Sequence, residues 1–246
     1  MIILIETDLG KITLDVSFAA YLGAGQQNSG QNTFIVKEVS KAGLFVALSN
    51  IDGKPVIPFG SVDFVKRIAE LLNIQLPTPL NIPEVLKPII GRRIWITKKS
   101  ELNIFPCFIK PLDDVKLFTG FVVKSKEDLQ FIPELKEWDG MLWCSELISE
   151  IISEWRCYVH KGEVVNCSCY AGDALAFPDV EVIKSLISAY TDAPAGYALD
   201  VGVTGKTTQL IECNDAWGLG YYGGNPSNYF NLVKNRWLEI INEFTR

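Results

Sequence analysis

A cluster of four prolines is the sequence feature that most restricts how this chain can fold. They stand within twelve residues, at Pro77, Pro79, Pro83 and Pro88. Proline lacks a backbone N–H and fixes φ, so neither a helix nor a central strand can continue through this stretch. The stretch therefore predicts a hinge. We place the boundary near residue 90, which divides the chain into an N-terminal domain, residues 1–90, and a second domain, residues 91–246.

Length and charge exclude several classes of protein. The chain has 246 residues, with 29 acidic against 23 basic side chains and a net charge of −6. An acidic chain has no general field that attracts phosphate backbones, which disfavours sequence-independent binding of nucleic acid. No apolar run approaches the roughly 20 residues of a membrane helix, and Glu6 and Asp8 interrupt the start of the chain where a signal peptide is apolar. We therefore expect a cytoplasmic protein whose partners are small molecules or proteins.

The cysteines and the one histidine argue against zinc and against thiol catalysis. The six cysteines lie mostly in apolar, strand-like runs, so we expect them to be reduced and buried. Cys167 and Cys169 are separated by one residue rather than two, and His160 is the only imidazole. A structural zinc site and a Cys-His pair therefore both lack components. The neighbours Lys161 and Gly162 predict that His160 is a solvated residue of a hairpin turn.

Hydrophobic patterning predicts an α+β fold. Before the prolines, strands are predicted at residues 1–6, 11–16, 33–39, 44–49 and 55–59, followed by a helix at 62–72 that Ser61 caps. After them, strands are predicted at 93–97, 107–110, 118–123, 141–147, 155–160, 163–170, 197–203 and 209–214, with helices at 180–190 and 229–244. Turns link most of the later strands, so we expect antiparallel pairing to dominate there.

Two glycine motifs resemble nucleotide-binding loops but lack their context. Gly205-Lys206-Thr207 ends like a phosphate-binding loop, yet Asp200 occupies the position of the leading glycine and a strand follows. The segment from Gly218 to Gly223 has dinucleotide-type glycine spacing. Only 23 residues remain beyond it, too few to return as a βαβ unit, so we interpret neither motif as a nucleotide loop.

Two carboxylates and an amide stand in the pair of predicted strands near the C-terminus. Side chains alternate along a strand, so Glu212 and Asn214 share one face. A three-residue loop at 205–207 places Asp200 opposite Glu212, with Cβ atoms roughly 5 Å apart, and the oxygens then suit Mg²⁺. A two-residue turn instead puts Asp200 on the opposite face, as an exposed acid of an edge hairpin. These residues alone leave both registers open.

Two basic residues lie in strands where they could meet phosphate. Lys110 ends an apolar strand, and buried lysines need a charge partner such as phosphate, although a lysine at a strand end can also reach solvent. Arg156 alternates with Glu154 on one strand face. It could bind phosphate through two hydrogen bonds, or form a cross-strand ion pair with Glu154 or Glu163.

These segments, in this order, resemble the ATP-grasp ligases from about Arg93 to the C-terminus. The resemblance implies that Lys110 and Arg156 contact the phosphates of ATP and act in catalysis. It implies further nucleotide contacts from Glu146, Leu147 and Ile148 at adenine, Glu154 at ribose, and Lys116 and Thr119 in the loop over the phosphates. It also implies Mg²⁺ ligation by Asp200, Glu212 and Asn214. Lys98 or Lys99 is a further candidate for phosphate contact.

The resemblance also implies a fold and a reaction. The fold is two α+β subdomains that grip ATP, preceded by a smaller N-terminal α/β domain, in a branch similar to phage and bacterial proteins. The reaction is the transfer of the γ-phosphate of ATP to a carboxylate on a small molecule, peptide or protein, followed by attack of an amine or similar nucleophile. The alternatives are an ATP-dependent ligase of RNA ends on the same fold and a non-catalytic nucleotide-binding module.

Overall fold

The N-terminal part is built around a parallel sheet. The computed structural model describes residues 1–27, 34–51, 53–112, 117–205 and 207–244. Its first strands are β1 (Ile2–Glu6), β2 (Ile35–Val39) and β3 (Val56–Phe59), which lie in the order β2-β1-β3 and pair in parallel. The helices are α1 (Asp15–Gln27), α2 (Leu44–Ser49) and α3 (Val62–Leu71). Strand β1 is buried along its whole length, as expected of a parallel central strand with both faces covered.

Two of the predicted N-terminal strands are wrong. Residues 11–14 belong to no extended strand and lead into α1, while Leu44–Ser49 forms the short helix α2. Apolar runs this short fit either a strand or a helix, and periodicity cannot separate the two. The predicted helix cap is confirmed, because the hydroxyl of Ser61 accepts a hydrogen bond from the backbone N–H of Phe64.

A four-stranded antiparallel sheet follows the prolines. It consists of β4 (Ile94–Lys98), β5 (Cys107–Pro111), β6 (Phe121–Val123) and β7 (Met141–Ser145), in the order β4-β7-β5-β6. Cys107, Ile109 and Cys144 point into a small apolar core on one face. Lys110 and Trp143 are directly paired across β5 and β7 on the other face. This alternation directs Lys110 away from the small core and towards the last sheet of the chain.

The last sheet has four long antiparallel strands. These are β8 (Ile151–His160), β9 (Glu163–Gly172), β10 (Gly196–Thr204) and β11 (Thr208–Asp215), in the order β11-β10-β8-β9. Helix α4 (Val180–Ala189) packs through Ile183 and Leu186 against the apolar face that includes Trp155 and Leu199. The opposite face carries Arg156 and Asp200, which pair directly across β8 and β10. Antiparallel pairing dominates beyond residue 90, as predicted.

The C-terminal helix joins the N-terminal part to the last sheet. Helix α5 (Pro226–Phe244) contributes Phe230, whose ring stacks on that of Phe59 with centroids 5.2 Å apart. The indole of Trp237 donates a hydrogen bond of 2.7 Å to the carbonyl of Val56. One apolar core therefore includes side chains from both sides of the predicted boundary near residue 90. That boundary stays a prediction.

The proline stretch is packed against the last sheet. Ile82 and Leu86 are buried in the core beneath α4, and the carbonyl of Asn81 accepts a hydrogen bond of 2.6 Å from the backbone N–H of Cys213. Within the described residues, no helix has both the length and the apolar character that crossing a membrane requires.

Candidate active site

A β-bulge sets the register of the two strands that carry the acidic residues. The backbone N–H of Thr204 donates to the carbonyl of Thr207, which is the pairing of a two-residue turn. That register alone would turn Asp200 away from Glu212. The pairing shifts by one residue between Asp200 and Val201, and Asp200 lies directly opposite Glu212. The expected facing pair is therefore present, but the bulge produces it rather than the predicted three-residue loop.

Asp200, Glu212 and Asn214 converge on the polar face of this hairpin. The side-chain amide nitrogen of Asn214 lies 3.0 Å from Oδ2 of Asp200 and 3.0 Å from Oε1 of Glu212. Asp200 is almost fully buried, whereas the side chain of Glu212 retains 29% of its exposure. Of the two carboxylates, Glu212 thus has the more open access to solvent.

Lys110 reaches this cluster from the middle sheet. Its Nζ lies 2.6 Å from Oε2 of Glu212 and 5.0 Å from the ring centroid of Trp143. Burial opposes ionisation of Glu212, but the ammonium of Lys110 more than offsets it and holds the pKa of Glu212 below its usual value. Lys110 therefore joins the two antiparallel sheets at the acidic cluster, so the prediction that it needs a charge partner is confirmed by a carboxylate.

Arg156 pairs with Asp200 rather than with Glu154 or Glu163. Its Nε and Nη2 donate to the two carboxylate oxygens of Asp200 at 2.7 and 2.6 Å. The sequence-based alternative of an ion pair with either glutamate is wrong, because Asp200 occupies the directly opposite position on β10. Burial raises the pKa of Asp200, and the guanidinium acts against this rise. Asp200 in turn raises the pKa of Arg156 despite its burial.

Two tyrosines cover Arg156, and sequence reasoning missed both. The guanidinium carbon lies 4.8 Å from the ring centroid of Tyr222 and 5.9 Å from that of Tyr170. The hydroxyl of Tyr170 donates to Oε2 of Glu154 at 2.7 Å. Tyr170 directly follows Cys169 on β9 and so faces the other way, which strand alternation could have found; Tyr222 lies in a loop without periodic signal.

Arg92, which sequence reasoning also missed, contacts the bulge from the start of the second domain. Its Nη2 donates to the carbonyl of Ile211 at 3.0 Å, and its Nε donates to the hydroxyl of Ser145 at 2.8 Å. Burial lowers its pKa to about 10. An arginine that donates to the bulge and to the end of β7 ties the two sheets together near Glu212.

The segment expected at adenine follows β7 directly. Glu146 pairs with Arg93 through both backbone and side chain, because the backbone N–H of Arg93 donates to Oε2 of Glu146 at 2.9 Å. Leu147 is exposed and Ile148 is half-buried. The segment connects the middle sheet to β8, the strand that carries Glu154 and Arg156.

The remaining candidates for phosphate contact lie in or beside the middle sheet. Lys116 lies outside the described residues, and Thr119 is exposed. Lys98 pairs with Asp139 at 3.0 Å, and the ammonium of Lys99 donates to the carbonyl of Leu135 at 2.6 Å. Both lysines thus have partners within the middle subdomain.

The acidic cluster has the donor chemistry of a magnesium site. Among the described residues, no group of three or more His, Cys, Asp or Glu side chains is arranged to hold a metal. The cluster instead offers two carboxylates and the amide of Asn214, all within one hydrogen bond of each other. Carboxylate and amide oxygens are ligands that Mg²⁺ accepts, usually together with water or substrate phosphates. The residues fit that ion if Asn214 presents its oxygen.

A known family model matches more than half of the chain. The model describes an ATP-grasp domain, the second family of one clade of that superfamily, and the match covers residues 90–232. No curated protein sequence is significantly similar to the chain.

Two solved structures share the fold over nearly the whole chain. The D-alanine–D-alanine ligase from Bacillus anthracis, complexed with ATP, has a TM-score of 0.56 at 14% identity, covering 99% of this chain and 98% of the ligase. The D-alanine–D-alanine ligase from Coxiella burnetii has a TM-score of 0.52 at 12% identity, covering 100% of this chain and 97% of the ligase. At such identities the likeness shows the fold alone, and it confirms the predicted two-subdomain α+β architecture.

Proposed function

The chain belongs to a family of ATP-grasp domains, and from this membership we propose that it is an ATP- and Mg²⁺-dependent ligase. The γ-phosphate of ATP passes to a carboxylate, and an amine or similar nucleophile attacks the acyl phosphate. The products are ADP and phosphate. The observation that carries the proposal is the charged network in which Lys110 and Arg156, from two sheets, meet Asp200, Glu212 and Asn214.

The charged network supplies what phosphoryl transfer needs. Catalysis of this step rests mainly on positioning and on stabilisation of charge, so no covalent enzyme nucleophile is required. Mg²⁺, when bound by Asp200, Glu212 and Asn214, neutralises phosphate charge. Lys110 and Arg156 are held at fixed positions by Glu212 and Asp200, and their cationic groups stabilise charge on the transferring phosphoryl group.

The roles of the surrounding residues follow from their places in the chain. Glu146, Leu147 and Ile148 connect the two subdomains and contact adenine, while Glu154 contacts ribose. Lys116 and Thr119 belong to the loop over the phosphates. The carboxylate substrate is a small molecule, a peptide or a protein.

The test is ATP turnover by the full chain with Mg²⁺ and a panel of amino acids and short peptides. We expect ADP and phosphate from at least one acceptor, and a loss of about 100-fold or more in Glu212→Gln, because removing a carboxylate weakens the metal site. Glu163→Gln is the matched control, since Glu163 is exposed at the start of β9, outside the network. Both variants should keep the circular dichroism spectrum of the wild type.

Other products or responses contradict the proposal. Release of AMP and pyrophosphate with every acceptor would show a different activation chemistry. Thermal stabilisation by Mg-ATP without ADP from any acceptor would favour a non-catalytic binding module. Unfolding of Glu212→Gln would indicate a structural role for that carboxylate.

A further inference from the structure

The glycine segment 218–224 lies over the polar face of the last sheet. It follows β11 directly, and its glycine spacing resembles a dinucleotide motif without serving as one. Gly220 approaches Arg156 so closely that a Cβ atom there would lie 3.6 Å from Nη1 of the guanidinium. The segment is thus one wall of the space around Arg156.

One hydroxyl fixes the middle of this segment. Tyr158 stands on β8 two residues beyond Arg156, and its hydroxyl donates to the carbonyl of Gly220 at 2.9 Å. The same oxygen accepts a hydrogen bond of 2.8 Å from the backbone N–H of Tyr222. Tyr158 is buried, which raises its pKa to about 12, so the hydroxyl keeps the proton that it donates.

Tyr222 then lies against the guanidinium. Its ring stacks on Tyr170, with centroids 5.3 Å apart and an interplanar angle of 25°. Two of the guanidinium nitrogens bind Asp200, and the Tyr222 ring covers the face of the group. An aromatic ring attracts a cation over its face and excludes water, which strengthens the nearby ion pair.

We propose that Tyr158 is a positioning residue whose hydroxyl holds Gly220 and Tyr222 so that the Tyr222 ring keeps the guanidinium of Arg156 on Asp200. The functional consequence rests on the proposed role of Arg156 in phosphate binding. Loss of the hydroxyl frees the segment, uncovers Arg156 and weakens binding of Mg-ATP, although Tyr158 itself does not touch the nucleotide.

The first test is amide exchange without nucleotide in Tyr158→Phe. The variant keeps the ring that packs edge-on against Tyr229, with centroids 6.1 Å apart, so we expect the fold to survive. The amide of Tyr222 should exchange about fivefold faster, because it loses its acceptor. Tyr221→Phe is the matched control, since that hydroxyl donates to the carbonyl of Gly224 at 2.6 Å in the same segment. It should leave the exchange rate of the Tyr222 amide unchanged.

The second test is calorimetric binding of Mg²⁺ with a non-hydrolysable ATP analogue. Tyr158→Phe and Tyr222→Ala should each weaken binding by about 3- to 10-fold, in keeping with the strength of cation–π contacts. If Tyr158 acts through Tyr222, the double variant binds no more weakly than Tyr222→Ala alone. Tyr222→Phe, which keeps a ring over Arg156, should restore the affinity lost in Tyr222→Ala.

Two outcomes overturn the proposal. Unchanged exchange at Tyr222 in Tyr158→Phe would show that the hydroxyl does not hold the segment. Additive losses of affinity in the double variant would show that the two tyrosines act separately. If the wild type binds no Mg-nucleotide, the proposed function fails, while the exchange experiment still decides whether Tyr158 positions the segment.

Discussion

At the scale of single residues, the chemistry of the candidate site was readable from the sequence, but the pairing was not. Alternation along strands identified Asp200, Glu212 and Asn214, as well as Lys110 and Arg156. Which acid each base contacts depends on the order of strands in the sheets. Asp200 meets Arg156 because β10 lies between β8 and β11, an arrangement that no local pattern encodes.

His160 is a second residue whose surroundings changed its interpretation. It ends β8 beside the predicted turn, but it is half-buried rather than fully solvated, and its Nε2 lies 2.8 Å from the side-chain nitrogen of Asn235. Burial lowers its pKa, and Lys161 and Lys234 act in the same direction, whereas Glu163 acts against them. A neutral ring can accept from the amide, while a protonated ring cannot.

His160 should therefore make the fold less stable in mild acid. Because its folded-state pKa lies below its unfolded value of about 6.5, the unfolded chain takes up the proton first as pH falls, and stability is lost below that value. We expect the free energy of unfolding to drop between pH 7.5 and 5.5 by more in the wild type than in His160→Gln. Urea unfolding across this range measures the difference. Equal pH dependence in the two proteins would contradict the prediction.

At the scale of elements, the sequence predicted long strands and amphipathic helices better than short apolar runs. The second domain has its strands within a few residues of the predicted positions, although β6 begins at Phe121 rather than at 118. The bulge in β11 could not be predicted, because a one-residue shift leaves no periodic trace. Helix α1 was missed because its sequence is rich in glycine, which disfavours helices, and has no apolar stripe along one face.

Two glycines of α1 should respond in opposite ways to alanine. A Cβ on Gly23 would lie 2.6 Å from Cβ of Phe230 and from the carbonyl of Pro226, whereas nothing lies within 4 Å of one on Gly25. Gly23→Ala should lower the free energy of unfolding by about 1–3 kcal/mol, as overpacking does. Gly25→Ala should raise it by about 0.5–1 kcal/mol through helix propensity.

Urea unfolding of the two alanine variants beside the wild type checks this contrast. Gly25→Ala serves as the control, because it changes the same helix by the same methyl group at an open position. A shift of the same sign in both variants would show that α1 and α5 do not pack as closely as the contact implies.

At the scale of the whole molecule, the N-terminal part shares its core with the C-terminal helix. Phe230 and Trp237 of α5 pack on the parallel sheet near Phe59 and Val56. The proline stretch indicated where the chain passes between its parts. It carried no information on α5 returning to the first part.

Removal of residues 1–90 should therefore destabilise the rest of the chain. Burial of a large apolar side chain contributes about 2 kcal/mol, so uncovering three on α5 costs about 6 kcal/mol, comparable to a typical net stability of roughly 5–15 kcal/mol. We expect residues 91–246 alone to lack a cooperative thermal transition. The full chain, measured in parallel by circular dichroism, should retain one. Cooperative unfolding of the fragment would support an independent second domain.

The sequence by itself determined the residue types of the site, the antiparallel strands that carry them and the resemblance to ATP-grasp ligases. These features are local, because alternation and turn chemistry act over a few neighbouring residues. Tertiary structure alone decided that a bulge aligns Asp200 with Glu212, that tyrosines cover Arg156 and that α5 closes the N-terminal core. Each of these depends on packing between segments far apart in the chain, which no single segment encodes.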